Sequence, residues 1–195
     1  MRSSAPISPS GDSVPDPAKA WEFLRNADLI FDAGQVKASI TKVAKAITTR
    51  LEHSYPLVLT VMGGGVFFAG QLLPLLRFPL DFDYIHATRY GRGTVGEEVA
   101  WRVAPSEAVR GRTVLILDDI LDGGNTMSAI RDRVIGLGAE SFFCAVLADK
   151  SHGAPKPITA DFVGLSVPDR FVFGCGMDAR GYWRNLPEIY ALKEA

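Results

Sequence analysis

Residues 114–127 read VLILDDILDGGNTM, an apolar run that leads through three acids and two glycines to the start of a helix. The unbroken apolar run predicts a strand buried on both faces, as in a parallel sheet. Asp118 and Asp119 follow at the carboxyl end of that strand, where ligands bind in open parallel sheets. This stretch therefore predicts an α/β fold with a site at one edge of its sheet.

The residues that follow have the composition of an anion-binding turn. Gly123 and Gly124 leave backbone N–H groups free, Thr126 adds a hydroxyl, and the helix beginning near Asn125 contributes its positive end. A carboxylate such as Asp122 would repel a phosphate in this turn. We therefore expect the acids to face ribose hydroxyls, a divalent cation or a proton to be transferred. An acidic strand end would explain one of these acids alone, but not the whole run.

Apolar patterns on either side of this stretch predict alternating helices and strands. Asp16 before Pro17 predicts a helix start, and Asp32 with Gln35 predicts a capping box opening a second helix. Strand, helix and strand then follow twice, which is typical of a parallel sheet with right-handed crossovers. The predicted strands are Leu57–Val61, Phe82–Ala87, Thr113–Leu117 and Phe142–Leu147, with helices near 66–76 and 127–137 between them.

Residues 91–103 interrupt the alternation, because GRGTVG is followed by the strand-like Val99–Val103 and not by a helix. We expect a long, flexible hairpin or flap here. Gly91, Gly93 and Gly96 match the dinucleotide fingerprint only superficially, since that motif requires a strand turning directly into a helix. Flexible turns explain these glycines better.

Composition excludes several classes of protein. The 195 residues carry 21 basic and 22 acidic side chains, a net charge of −1, which argues against binding nucleic acid or an anionic membrane. Apolar runs are too short to span a bilayer, and the two cysteines and three histidines lack zinc-ligand spacing. Five Ser and four Pro in the first 17 residues predict a disordered tail over 1–16, with one domain over 17–195 and a cytoplasmic location.

The run at 114–127 resembles the 5-phosphoribosyl 1-diphosphate signature of the type I phosphoribosyltransferases. Over roughly residues 55–190 the chain is similar to their hypoxanthine-guanine branch. This resemblance implies a parallel sheet flanked by helices, a flexible catalytic flap, and a small hood made by the N-terminal helices and the C-terminal segment. The segments that carry it are Met62-Gly63-Gly64 with Phe67-Phe68-Ala69, Thr88-Arg89-Tyr90-Gly91, Asp161–Asp178 and Tyr182–Pro187.

The resemblance also implies an activity, the transfer of a phosphoribosyl group to hypoxanthine or guanine in purine salvage. IMP or GMP and pyrophosphate would be formed, with Mg²⁺ as cofactor and a homo-oligomer, dimer or tetramer, as the assembly. Asp122 would exchange a proton with purine N7. The other implied roles are the 5-phosphate for Gly123, Gly124, Asn125 and Thr126; ribose and Mg²⁺ for Asp118 and Asp119; pyrophosphate for Met62, Gly63 and Arg184; a second Mg²⁺ for Asp178; the flap for Arg89 and Tyr90; and the base for Lys150, Phe171 and Val172.

Several points stay open at this stage. Lys156 competes with Lys150 for the base, because the family draws this lysine from a variable segment. The Val61–Met62 peptide is expected to be cis. Many relatives have a basic residue in place of Met62, a Ser in place of Arg89 and a Thr in place of Gly123.

Two other functions compete with this one. Xanthine is an alternative main base for the same reaction. An RNA-binding regulator of the same fold is a rival of another class, but it would need a basic face, and the chain has no Lys/Arg cluster.

Overall fold

A computed structural model describes residues 16–89 and 99–193 of the chain. The predicted tail, up to residue 15, and the flap predictions for Tyr90 and residues 91–98 lie outside the described residues. The helices are α1 (Pro17–Arg25), α2 (Ala33–Leu51), α3 (Gly65–Leu72) and α4 (Asn125–Gly136). The strands are β1 (Ala27–Phe31), β2 (Leu57–Val61), β3 (Asp81–Arg89), β4 (Val99–Val103), β5 (Thr113–Leu121), β6 (Ser141–Lys150), β7 (Phe162–Val167), β8 (Val172–Phe173) and β9 (Ile189–Leu192).

The central sheet has six strands in the order β4-β3-β2-β5-β6-β7. All neighbouring pairs are parallel except β3 with β4, which is the predicted hairpin. The predicted α/β fold is therefore confirmed, and each of the four predicted parallel strands is present. Because the parallel strands share one direction, the ends of β2, β5 and β6 open on the same edge of the sheet.

Helices cover both faces of the central sheet. On one face α2 and α3 pack against Val58, Leu115 and Leu147. On the other face α4 packs through Ile130 against alternate residues of the same strands, such as Ile116. Side chains of a strand point alternately to its two faces, so β5 is buried from both sides, as its apolar run predicts.

Capping residues begin the first two helices where the sequence predicts them. The Asp16 carboxylate accepts from Ala18 N–H at 2.9 Å, and Asp32 and Gln35 form a reciprocal capping box. The helix predicted over 66–76 is shorter than expected. Residues 73–75 tighten into a 3₁₀ turn that contains Pro74, which has no N–H for a helical hydrogen bond.

A second, antiparallel sheet in the order β1-β9-β8 was not predicted as strands. It joins the two ends of the described chain, since Ala27 pairs with Leu192. Trp183 Nε1 also donates to the Ala20 carbonyl at 2.6 Å. α1 and the C-terminal segment lie together. α2 instead packs against the central sheet, because its buried stripe faces β6 and β7.

Within residues 16–89 and 99–193, no helix is both long enough and apolar enough to cross a lipid bilayer.

Candidate active site

A cavity of about 440 Å³ opens at the carboxyl ends of β2, β3 and β5. A smaller cavity of about 210 Å³ adjoins it and shares Asp119, Asp122 and Arg184 with it. The larger one is also lined by Met62, Gly63, Gly64, His86, Thr88, Asp118, Gly124 and Thr126, and the smaller one by Lys150, Phe171, Val172 and Asp178. Twelve of the predicted site residues, the three shared ones included, thus surround two adjoining spaces.

Asp118 and Asp119 form the acidic wall of the larger cavity. Asp119 is only 8% exposed, and a Cβ added to Gly64 would overlap its carboxylate, so the loop after β2 lies directly against it. Burial raises the pKa of Asp118 well above its usual range, and the neighbouring Asp119 carboxylate adds to the rise. Burial also raises the pKa of Asp119. A cation beside these two acids would offset the repulsion between them.

The turn that follows has the geometry of an anion cradle. Gly124 has φ of +83°, a left-handed conformation that glycine adopts without strain, and it caps α4. Thr126 lies in the first turn of α4 and lines the larger cavity. A helix N-terminus and a glycine-rich turn together direct N–H groups and positive potential toward one point.

Lys156 supports this turn from outside the cavities. Its ammonium donates to the Leu121 carbonyl at 2.7 Å and to Asp149 at 2.5 Å, and the side chain is only 13% exposed. Pro157 packs against Gly124 from the same side. Lys156 therefore lines neither cavity, whereas Lys150 lines the smaller one.

Asp122 lies between the two cavities and has two basic partners. Lys150 Nζ is 3.2 Å from its carboxylate, and His152 Nε2 is 2.7 Å from the same oxygen. Partial burial acts to raise the pKa of Asp122, but the Lys150 ammonium and the hydrogen bond from His152 outweigh it and hold the pKa below its usual value. Asp122 is thus held as a carboxylate that can accept a proton.

The smaller cavity combines an aromatic face with a buried cation. Phe171 is 51% exposed although it is a large apolar side chain, and Val172 beside it is buried. The Lys150 side chain is only 12% exposed. A flat ring with a hydrogen-bond acceptor fits such a space, because it can stack on Phe171 while the ammonium donates to its edge.

Arg184 lines both cavities. Its guanidinium donates to the Gly176 carbonyl at 2.6 Å and pairs with Asp178. Asp178 also accepts from Gly181 N–H at 2.6 Å. The cis peptide bond of the neighbouring loop is Met62–Gly63, so the expectation of a cis bond at Val61–Met62 is wrong by one bond.

A sequence profile of the phosphoribosyl transferase domain matches residues 26–180. The chain belongs to the phosphoribosyltransferase family.

Individual phosphoribosyltransferases show how far the likeness extends. The chain is 33% identical to the hypoxanthine-guanine phosphoribosyltransferase of Bacillus subtilis over 162 residues, 83% of this chain and 90% of that protein. It is 35% identical to the bifunctional protein TilS/HprT of Listeria monocytogenes over 85% of its own length, but it spans only 26% of that relative. The crystal structure of a hypoxanthine phosphoribosyltransferase from Staphylococcus aureus matches with a TM-score of 0.79 at 25% identity, over 87% of this chain and 94% of that one.

Not every predicted residue of the phosphoribosyltransferase site is placed at a cavity wall. Gly123 and Asn125 belong to the turn before and at the start of α4, and Arg89 ends β3. Sequence reasoning missed His152 and Asp169, although His152 lies two residues after the predicted Lys150. No motif spacing signals such a pair, because their contact depends on two separate loops.

Proposed function

We propose that this chain transfers the 5-phosphoribosyl group from 5-phosphoribosyl 1-diphosphate to hypoxanthine or guanine, forming IMP or GMP and pyrophosphate in purine salvage. The observation that carries the proposal is the position of Asp122, which lies between the acid-walled cavity and the cavity lined by Lys150 and Phe171. A sugar-phosphate in the first space and a flat base in the second would meet beside this carboxylate.

Each part of the site has a task in this reaction. Breaking the bond between ribose and pyrophosphate develops positive charge on the sugar, which the carboxylates of Asp118 and Asp119 stabilise. The turn from Gly123 to Thr126 binds the 5-phosphate, and Asp122 accepts the proton of purine N7 as N9 bonds to the ribose carbon. Arg184 and the loop at Met62 and Gly63 bind the leaving pyrophosphate.

Mg²⁺ fits the acidic wall when substrate is present. Within the described part of the chain, no group of three or more His, Cys, Asp or Glu side chains forms a ready metal cage. Mg²⁺ is commonly held by one or two carboxylates together with substrate phosphates and water, and Asp118 and Asp119 supply that number. Asp178 is proposed for a second ion. The metal would neutralise the charge of the leaving pyrophosphate.

Lys150 is the residue proposed to select 6-oxopurines. A 6-oxo group accepts a hydrogen bond from an ammonium, whereas adenine presents a donor at the same position and would leave Lys150 unmatched. Phe171 would stack on the base, and the Val172 backbone would contact its edge. The Arg89 and Tyr90 flap would then exclude water, which competes with the base for the sugar.

The proposal also covers the oligomeric state and the cellular location. A homo-oligomer, dimer or tetramer, is supported by Phe82 and Tyr84, which lie two residues apart on one face of β3 and are 49% and 45% exposed. A cytoplasmic location, without nucleic acid or membrane as a partner, remains a prediction from composition.

One assay tests the activity. Purified protein is given 5-phosphoribosyl 1-diphosphate, Mg²⁺ and one of hypoxanthine, guanine, xanthine or adenine, and the nucleoside monophosphate is measured. Formation of IMP and GMP is expected. Formation of xanthosine monophosphate alone would assign the alternative base, and no product with any base would overturn the proposal.

A further inference from the structure

His152 connects two carboxylates from different loops, and none of the roles above uses it. Its Nε2 lies 2.7 Å from Asp122 Oδ1, and its Nδ1 lies 2.8 Å from Asp169 Oδ1. Asp122 follows β5, His152 follows β6 and Asp169 follows β7, and these three strands are neighbours in the central sheet. The contact therefore spans three adjacent strand ends at the edge that holds the site.

The two contacts place a carboxylate oxygen against each nitrogen of the imidazole ring. An ionised carboxylate only accepts hydrogen bonds, so both short contacts are hydrogen bonds only when both ring nitrogens carry hydrogen. The charged groups that contact the ring are Asp122 and Asp169, and Lys150 contacts the same Asp122 oxygen as the ring does. The ring therefore links the two carboxylates through its two nitrogens.

The His152 ring can hold Asp122 while Lys150, the other partner of this carboxylate, contacts the base. Lys150 is 3.2 Å from Asp122 and is also the proposed donor to the 6-oxo group of the base. Once the ammonium turns toward a bound base, His152 is the partner that keeps the carboxylate in place. The Asp122 side chain is 42% exposed, so packing alone does not restrain its rotation.

Asp169 fixes the ring on its other side. It lies two residues before Phe171, in the loop between β7 and β8 that carries the aromatic wall of the smaller cavity. The chain Asp169–His152–Asp122 thus joins the loop that stacks on the base to the carboxylate proposed to take its proton.

We propose that His152 is a positioning residue that holds the Asp122 carboxylate toward N7 of the bound purine, with Asp169 orienting the imidazole. The role rests on the proposed function, because it acts through Asp122. It predicts that removal of the ring changes turnover and its pH dependence more than the binding of the diphosphate.

The test compares His152→Ala and His152→Gln with His53→Gln, a control at a histidine whose side chain is 94% exposed after α2. Loss of one hydrogen bond to a charged group predicts a fall in kcat of about tenfold or more for His152→Ala, with KM for the diphosphate nearly unchanged. His152→Gln should recover part of kcat, since its amide can donate to Asp122. The control should match the parent.

The pH profile separates positioning from a merely structural role. His152 is one of the groups that lower the pKa of Asp122, so the acid limb of kcat/KM should move to higher pH in both variants. If His152→Ala does not fold, the limb measured on His152→Gln decides. An unmoved limb, or equal losses in the alanine and glutamine variants, overturns the positioning role.

Asp122→Asn distinguishes this inference from the function on which it rests. A loss of kcat in Asp122→Asn, with no further loss when His152→Ala is added, is the expected result for residues that act as one unit. If Asp122→Asn loses kcat while His152→Ala keeps it, the inference fails and the proposed function stands. If Asp122→Asn turns over like the parent, the acid/base role fails, and the role of His152 with it.

Discussion

At the scale of single residues, the two candidate lysines have different surroundings. Lys150 lines the smaller cavity with Phe171, whereas Lys156 donates hydrogen bonds to the Leu121 carbonyl and the Asp149 carboxylate. The Lys156 side chain is 13% exposed and makes two short hydrogen bonds, so it is not a solvated surface charge.

Lys150→Gln should weaken the use of guanine and hypoxanthine by about 1.5–3 kcal/mol, the range for a hydrogen bond to a charged group. Discrimination against adenine should also decrease, because an amide can either donate or accept. Steady-state kinetics with each base measure both effects, and Lys45→Gln on the exposed side of α2 is the control. Lys156→Gln should lower the melting temperature and leave the base preference unchanged; a changed base preference in that variant would reassign the contact.

We expect Asp118 to support transferase activity and to lower the stability of the folded protein at neutral pH. Because burial raises its pKa, the folded state binds the proton more tightly than the unfolded chain, so stability falls as pH rises between the two pKa values. Asp118→Asn should therefore have a higher melting temperature than the parent at pH 7, and the difference should shrink toward about pH 4. Its transferase activity should fall.

Thermal unfolding across pH checks this prediction, with Asp132→Asn as the control. Asp132 is an exposed carboxylate on α4, so its replacement should leave the melting temperature nearly unchanged. A lower melting temperature for Asp118→Asn at pH 7 would show that its contacts outweigh the burial of its charge.

At the scale of elements, the contact between the loop after β2 and the end of β5 depends on one glycine. Gly64→Ala should destabilise the fold by about 1–3 kcal/mol, because the new Cβ would overlap the Asp119 carboxylate. Gly70→Ala in α3 is the matched control, since its Cβ would meet nothing within 4 Å and should stabilise the helix by about 0.5–1 kcal/mol. Denaturant unfolding measures both, and equal effects would contradict the close packing of this loop.

The elements also differ in how far local sequence specifies them. The capping box at Asp32 and the apolar run of β5 act within a few residues, so both were predictable. β1, β8 and β9 are short strands whose pairing joins residues as far apart as Ala27 and Leu192. No local pattern specifies that pairing, because the hydrogen bonds form only after the chain ends meet.

At the scale of the whole molecule, the exposed apolar face of β3 predicts a contact between copies of the chain. The double substitution Phe82→Ser with Tyr84→Ser should shift the protein to a smaller species in analytical ultracentrifugation, because the interface would lose its apolar surface. Leu29→Ser, at a residue 53% exposed on β1, should leave the assembly intact. Dissociation by Leu29→Ser and not by the double variant would place the interface on the second sheet.

Local sequence specifies one part of the site, and tertiary structure decides the other. The order of apolar residues, acids and glycines from Val114 to Met127 specified a strand, an acidic strand end and a glycine turn into a helix, since each depends on neighbours a few residues away. The position of Lys150 at the smaller cavity and the contact of His152 with Asp122 and Asp169 depended on tertiary structure. These side chains follow different parallel strands, and only the pairing of those strands brings their ends together.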